Sequence, residues 1–184
     1  MDVARVMRRV DLNRHSMGSS KREQRYRRWC LQHRLFLNPL NDLGAHPIAA
    51  QDILMLPNYT TGIHEPPTFS GFFNQMKQEF ASARWLLFEA VHADGVHFSD
   101  RRVTLHNTLD YPSYALAVEK LKAAFGIAYS LFDKTAVFLN AYMKLGINEQ
   151  KIYFRSIWYK NQDARQRVLR LEFEAYENRP VRGL

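Results

Sequence analysis

Two long segments of the chain carry apolar side chains at alternating four- and three-residue steps, which places them on one face of an α-helix. The segments cover residues 68–91 and 112–145. Such stripes pack helices nearly antiparallel, so the pattern predicts the two principal helices of a bundle. The stripe residues are Phe69, Phe73, Met76, Phe80, Ala83, Leu87 and Ala90 in the first segment, and Val118, Leu121, Phe125, Ala128, Phe132, Thr135, Leu139 and Tyr142 in the second.

The second segment also carries signals for its ends. Pro112 suits the first turn of a helix, where a backbone N–H is not needed. Gly146 follows Lys144 and is expected to cap the C-terminus in a left-handed conformation.

A shorter helix is predicted over residues 20–35. Ser20 and Glu23 fit a capping box, in which the hydroxyl and the carboxylate satisfy backbone amides at the start of the helix. The arginines of this segment occupy one face, and the other face is expected to pack inward. The inward residues are Tyr26, Trp29, Cys30 and His33.

The segment after this helix predicts turns. Asn38, Asn41 and Asp42 surround Pro39, and short polar side chains of this kind hydrogen-bond to nearby backbone groups. Residues 47–56 predict a short helix that ends before Pro57.

Three further segments complete the reading. Residues 96–98 and 103–106 are expected to pair as a small hairpin, and residues 151–159 to form an extended segment or the start of a helix. A last helix is predicted over residues 161–178. Its inward residues are Ala164, Val168, Leu171 and Ala175.

These elements predict an all-α fold, an up-and-down helical bundle with two long antiparallel helices. The 184 residues, 46% of them hydrophobic and 13% aromatic, suffice for one domain with a core. We expect that domain over residues 20–184, after a basic leader at residues 1–19.

The net charge of +8 is concentrated near the start of the chain. Residues 1–34 hold ten basic and three acidic side chains and so account for +7 of it. Such a segment attracts nucleic-acid phosphates or acidic partners, although it also fits a solvated helix face or a linker. The predicted nucleic-acid-binding residues are Arg22, Arg25, Arg28 and Arg34.

Other compositional features exclude several classes of protein. Cys30 is the one cysteine, which excludes a disulfide within the chain and multi-cysteine zinc sites. No apolar stretch reaches the roughly 20 residues that span a bilayer, and the first ten residues lack the apolar region of a signal peptide. We therefore expect a cytoplasmic protein that does not bind membranes.

Several ordered motifs resemble the HEPN superfamily, in particular a prokaryotic branch often found behind tetratricopeptide-like repeats. The resemblance covers about residues 20–184. Its motifs are WC at residues 29–30, LFLNPLND at 35–42, NQMKQEFASAR at 74–84, TLDYP at 108–112, EKLKAAF at 119–125, YSLFDK at 129–134 and FRSIWY at 154–159.

The resemblance implies a helical domain that often dimerises and associates with RNA, commonly as a metal-independent ribonuclease. The family's catalytic motif is an Arg, usually followed by a polar residue, with a His after four to six intervening residues in the last core helix. There the Arg would stabilise charge on the reacting phosphate and the His would transfer a proton. In this chain His106 is the last histidine, so the C-terminal motif is absent, and we expect truncation before the final helix.

Other candidate sites have simpler explanations. Matches to the Arg–His spacing at Arg9–His15, Arg28–His33 and Arg101–His106 are expected by chance among 26 basic residues and seven histidines. Cys30 is expected to be a small buried residue. A loop cluster has zinc-ligand chemistry but fits a polar loop better, so neither a metal nor a cofactor is expected. Its members are His92, Asp94, His97 and Asp100.

The sequence thus favours a HEPN-like domain that binds RNA or a partner protein and has no complete nuclease site and no catalytic residues of its own. Two alternatives remain open. One is an active HEPN endoribonuclease of a defence or toxin system, and the other is a structural dimerisation domain of a larger repeat protein. Expected partners are RNA, a second copy of the chain, and a repeat domain in the same or another chain.

Overall fold

The structure, a computed structural model, describes residues 15–56, 59, 60, 62, 64, 66–107, 109, 111–160 and 168–174. The chain divides into two units, of which the first ends at Tyr59 and the second begins at Thr60. Each has its own core, because two separate clusters of buried apolar side chains form, one in each unit.

The first unit is organised by helix α1, Lys21–Gln32. The predicted serine cap is present: the Ser20 hydroxyl accepts a hydrogen bond from the Glu23 amide at 3.1 Å. The Glu23 carboxylate reaches one residue further back than a capping box requires and accepts from the Ser19 amide at 3.0 Å. The helix ends earlier than residue 35 because Arg34 adopts a left-handed conformation (φ 54°). The Leu35 amide then donates to the Cys30 carbonyl, which closes the helix in a Schellman motif.

After α1 the chain forms two 3₁₀ turns, Pro39–Leu43 and Pro47–Ala49. Asn38 connects them, since its side chain accepts from the Leu40 amide and donates to the Gln51 carbonyl at 3.1 Å. The prediction of a helix over residues 47–56 was wrong beyond Ala49, where the 3₁₀ turn ends. Residues 51–54 run beside Leu37 instead, where the Asp52 carboxylate accepts from the Leu37 amide and the Leu54 amide donates to the Leu37 carbonyl.

In the second unit, helix α2 spans Thr68–Val91, the bounds that the sequence predicted. Its predicted stripe is confirmed, because all seven stripe residues are buried or half-buried. Ala83 and Phe88 are its most buried apolar residues, and Arg84 is buried beside them with its guanidinium over the Phe80 ring.

The second long segment is two helices rather than one: α3, Tyr111–Tyr114, and α4, Leu116–Tyr142. The break lies at Ala115, whose backbone is extended. Asp100, sixteen residues earlier, accepts a hydrogen bond from the Leu116 amide at 2.9 Å and so caps α4 from a distant loop. Gly146 has the expected left-handed conformation (φ 68°), but the expectation that it closes the helix was wrong. Lys144 takes the left-handed conformation (φ 52°) and closes the helix two residues earlier.

Helices α2 and α4 pack antiparallel, as three contacts along their length show. Glu89 near the end of α2 meets Lys120 near the start of α4, with Oε2 and Nζ 2.8 Å apart. Glu79 pairs with Lys134 midway. At the other end, the Phe138 ring lies 6.1 Å from that of Phe69 and 5.9 Å from that of Phe72, in edge-to-face arrangements.

The stripe predicted for α4 was wrong in its central part. Leu121, Phe125, Ala128 and Phe132 are exposed, whereas the ends of the stripe are half-buried. The face turned toward α2 carries Lys120, Ala124, Ile127, Leu131, Lys134 and Phe138. Lys120 and Lys134 on this face pair with Glu89 and Glu79, which leaves Phe125 and Phe132 on the outer face.

The chain after α4 folds back onto the C-terminal half of that helix. The Asn140 side chain exchanges two 3.0 Å hydrogen bonds with the backbone of Ile147 and so fixes the reversal. A 3₁₀ turn, Glu149–Lys151, and helix α5, Phe154–Ile157, follow. Ile152, Ile157 and Phe173 pack against Ala136 of α4, and the four residues form the core cluster of this unit.

The predicted last helix is only partly described. Residues 161–167 and 175–178 of it, with Ala164 and Ala175, lie outside the described residues. Within residues 168–174, α6 covers Leu171–Glu174, while Leu169 bridges antiparallel to Tyr159. Val168 and Leu171 are exposed, contrary to expectation, because the bridge turns Leu169 and Phe173 inward.

The predicted hairpin around residues 99–102 does not form. No strand occurs in the described segment 66–107. The backbone forms turns there instead, since the Asp100 amide donates to the His97 carbonyl and the Val103 amide donates to the Asp100 carbonyl. Val96, Phe98 and Val103 are exposed, so the expected strands would cover no apolar core. The all-α fold is nevertheless confirmed.

Removing the distant cap should destabilise the protein. Asp100→Ala leaves the Leu116 amide without its carboxylate acceptor, so we expect a loss of about 1 kcal/mol in urea unfolding. Asp100→Asn keeps an acceptor oxygen and should lose less. Equal losses for both variants would contradict the capping role.

The Glu79–Lys134 pair should make stability depend on pH. Hydrogen bonding from the Lys134 ammonium lowers the pKa of Glu79 from its ordinary value of 4.5. The carboxylate therefore contributes fully above that pH, and its contribution disappears as the pH falls through the folded-state pKa. We expect Glu79→Gln to cost about 1–2 kcal/mol at pH 7 and to match the wild type in strong acid.

The matched control is Glu119→Gln, because Glu119 also forms a direct ion pair, with Lys122 at 2.8 Å, but this pair lies on the exposed surface. It should change the free energy of unfolding by less than about 0.5 kcal/mol at any pH. A Glu79→Gln effect independent of pH would refute the assigned role of the charge.

Candidate nucleic-acid interface

The outer face of α1 is basic and exposed. Lys21, Arg25 and Arg28 follow each other at four- and three-residue steps, which aligns them on one side of the helix, and Arg22 lies beside them. All four side chains are exposed, and the Arg28 guanidinium donates to the Gln24 side chain at 3.3 Å on the same surface. This arrangement presents several positive charges along about two turns of helix.

Arg27 differs from its neighbours because it faces inward. Its guanidinium donates to the Ala50 carbonyl at 2.8 Å and pairs with the Glu23 carboxylate at 3.0 Å. The Ser19 amide, followed by Arg27, lowers the pKa of Glu23, so this carboxylate is charged at neutral pH. Arg27 therefore fixes α1 against the turn at residues 47–50.

Arg34 extends the basic surface past the end of α1. Its left-handed backbone turns the chain, and its guanidinium lies 3.8 Å from the Asp42 carboxylate. The two side chains are 70% and 79% exposed, so water screens the pair and the contact is weak. A phosphate can displace Asp42 at little cost.

Trp29 and His33 lie next to this basic surface. The sequence analysis placed both residues on the inner face of α1 and so did not predict this. His33 is exposed and Trp29 is half-buried, with ring centroids 5.0 Å apart. Trp29 follows Arg25 by four residues and His33 follows Trp29 by four, so the three stack along the helix. This four-residue spacing was the feature of the sequence that could have predicted their position beside Arg25.

A dense core supports this surface. Cys30 is fully buried with Leu31, Phe36, Ala49 and Ala50. Tyr26, Trp29 and Leu35 pack on this cluster, so the core anchors the half-buried Trp29 side chain. Cys30 is thus the small buried residue that the sequence predicted.

No candidate metal centre occurs in the part of the chain that the structure describes, where no three His, Cys, Asp or Glu side chains gather in a suitable arrangement. The loop cluster considered from the sequence has other contacts. Asp100 caps α4, the His92 Nδ1 lies 2.9 Å from the Phe88 carbonyl, and His97 hydrogen-bonds to Ser99.

Comparison with known families supplies the identity of the second unit. The model of the LA2681-like HEPN family matches residues 60–184, about two thirds of the chain. The chain belongs to this HEPN family. Neither curated proteins nor solved structures gave a match.

The HEPN match begins at the residue where the second unit begins. The basic helix α1, with the motifs at residues 29–30 and 35–42, therefore lies outside the matched region. The expected domain of residues 20–184 and its basic leader remain a prediction. Among the described residues, none of the helices combines the length and the apolar character that crossing a membrane requires.

Within the HEPN region, Arg101–His106 is the one match to the family's Arg–His spacing in the sequence. Both residues are exposed and lie in the irregular segment between α2 and α3, not on a helix. Of the other two pairs, Arg28 contacts Gln24 while His33 contacts Trp29, and Arg9 lies outside the described residues.

The inward role of Arg27 can be tested with the single cysteine. Cys30 is fully buried, so a thiol reagent should modify the native protein only through opening of the first unit. Arg27→Ala removes the bond to Ala50, worth about 1 kcal/mol, and should speed modification about fivefold. Arg25→Ala is the control and should leave the rate unchanged. Equal acceleration by both variants would contradict the assignment.

Proposed function

We propose that this HEPN protein binds single-stranded RNA through the outer face of α1 and does not cleave it. The observation that carries the proposal is the exposure of Arg22, Arg25 and Arg28 along one helix, continued by Arg34. Arginine guanidinium groups at this density attract phosphates and release their counterions, which favours binding to a nucleic-acid backbone.

The aromatic edge favours a single strand over a duplex. Unpaired bases stack on aromatic and guanidinium planes, whereas bases in a duplex are already stacked. Trp29 and His33 lie in line with Arg25, so a base can stack beside a bound phosphate. The general association of HEPN domains with RNA supports RNA as the ligand.

The distribution of histidines supports the proposal of binding without cleavage. Residues 107–184 contain no histidine, so no Arg–His motif lies within them. The remaining HEPN spacing, Arg101–His106, lies in an exposed irregular segment. A general acid or base requires a fixed position relative to the phosphate, which such a segment does not provide.

The proposal extends to location and assembly. We place the protein in the cytoplasm, as its single buried cysteine and its RNA partner suit a reducing compartment. A repeat domain, in this chain or another, is the protein partner that the family resemblance suggests.

The test is RNA binding by the full chain at several salt concentrations. The double variant Arg25→Gln/Arg28→Gln should weaken binding at least about tenfold and reduce the salt slope by roughly 0.7 for each lost phosphate contact. Adding Arg22→Gln and Arg34→Gln should abolish binding. The matched control is Arg101→Gln/Arg102→Gln, which removes two exposed arginines from the other unit.

Two results would overturn the proposal. Equal weakening by both double variants would show that binding depends on net charge and not on α1. Cleavage of labelled RNA without metal, lost in His33→Ala, would show that the chain is an active ribonuclease.

A further inference from the structure

The surface that carries the RNA-binding arginines also holds an acidic side chain, Asp42. Its carboxylate is exposed and lies 3.8 Å from the Arg34 guanidinium. A carboxylate repels the phosphates that the neighbouring arginines attract, and even a phosphate that displaces it from Arg34 stays close to its negative charge. The position of Asp42 therefore suits a contact with a part of the nucleic acid other than the backbone.

The Arg34–Asp42 pair is an open one. The distance of 3.8 Å between Nη1 and Oδ1 exceeds the roughly 2.7–2.9 Å of a charge-assisted N–H···O hydrogen bond, so the two groups do not use their donors and acceptors on each other. Within the part of the chain that the structure describes, neither side chain forms a hydrogen bond. Both groups can therefore bind a ligand without first breaking a hydrogen bond inside the chain.

The backbone that carries the two side chains is, by contrast, fixed. The Schellman motif at the end of α1 holds the left-handed turn at Arg34. Asn41, which is only 7% exposed, donates from its side-chain amide to the Phe36 carbonyl and so anchors the 3₁₀ turn that contains Asp42. A ligand between the two groups therefore orders two side chains and no backbone, which reduces the entropy lost on binding.

Together the two groups match the Watson–Crick edge of one base. A carboxylate accepts two hydrogen bonds side by side, and a guanidinium only donates. Guanine presents two adjacent donors, N1–H and the N2 amine, next to the O6 acceptor. Adenine and cytosine each present one amine beside an unprotonated ring nitrogen, and uracil presents one N–H between two carbonyls. Guanine is therefore the base that gives a carboxylate two donors and a neighbouring guanidinium an acceptor.

We infer that Arg34 and Asp42 select guanine in the single strand that α1 binds. Asp42 accepts hydrogen bonds from N1–H and the N2 amine, and Arg34 donates to O6. The exposed ring of His33, the residue before Arg34, offers a stacking surface for the same base, as is common for unpaired bases. The inference rests on the proposed function, because the bound strand brings the base to the pair.

The test compares two short RNA strands, one of uridine alone and the same strand with one central guanine. The wild type should bind the guanine strand at least about fivefold more tightly, as one bidentate base contact provides. Inosine keeps N1–H and O6 but lacks the N2 amine, so its substitution for guanine should remove most of this gain. 7-Deazaguanine lacks only N7, which has no partner in the inferred contact, and should bind as guanine does.

Asp42→Asn separates the guanine contact from general RNA binding. The loss of a negative charge should tighten binding of the uridine strand by up to about twofold, whereas the loss of one acceptor should reduce the preference for guanine to less than about twofold. The matched control is Asp94→Asn, which removes the same charge from an exposed position in the other unit and should leave the preference unchanged.

The outcomes distinguish this inference from the proposed function. Equal binding of the two strands by the wild type, or a guanine preference that survives Asp42→Asn, would overturn the inference and leave RNA binding by α1 intact. A 7-deazaguanine strand that binds no better than uridine would place the contact at N7 and would also overturn it. A chain that binds neither strand would refute the proposed function and this inference with it.

Discussion

The antiparallel contact between α2 and α4 determines the rest of the HEPN region. Glu79 and Glu89 of α2 pair with Lys134 and Lys120 of α4, so the rotation of α4 about its own axis is fixed. Once Lys134 and Ala124 face α2, Phe125 and Phe132 must face away. The same rotation turns Ala136 toward the chain that follows α4. There Ala136 packs with Ile152, Ile157 of α5 and Phe173 of α6 in the second core cluster. One interhelical contact thus sets both a packed face and an exposed one.

The sequence predicted correctly those features whose interacting groups lie close together in the chain. Ser20 and Glu23 predicted the start of α1 because the Ser20 cap and the Glu23 amide that it binds lie within one turn. The bounds of α2 followed from its stripe. The break at Ala115 could not be foreseen, since the cap that begins α4 comes from Asp100, sixteen residues earlier. The buried face of α4 was predicted wrongly because Phe125 and Phe132 are more apolar than Ala124 and so were expected to face inward. The ion pair between Lys134 and Glu79 of α2 instead turns the Ala124 side toward α2.

The candidate interface was predictable in part. Charge concentration identified Arg22, Arg25, Arg28 and Arg34, and all four are exposed. Sequence spacing could not separate Arg27 from them, because its inward turn depends on the Ala50 carbonyl, a partner 23 residues away. Trp29 was predicted to lie on the inner face of α1, but its side chain is half-buried and follows Arg25 by one turn. The exposure of this side chain depends on three-dimensional packing, which the helical spacing does not give.

A double-mutant cycle across Glu89 and Lys120 tests the antiparallel contact most directly, because this pair joins the helix ends opposite to the Phe138 cluster. Glu89→Lys and Lys120→Glu should each destabilise the protein in urea unfolding, and the double variant should recover about 1 kcal/mol or more of the summed loss. Strictly additive losses would mean that the two side chains do not meet, and the arrangement of α2 and α4 described here would be wrong.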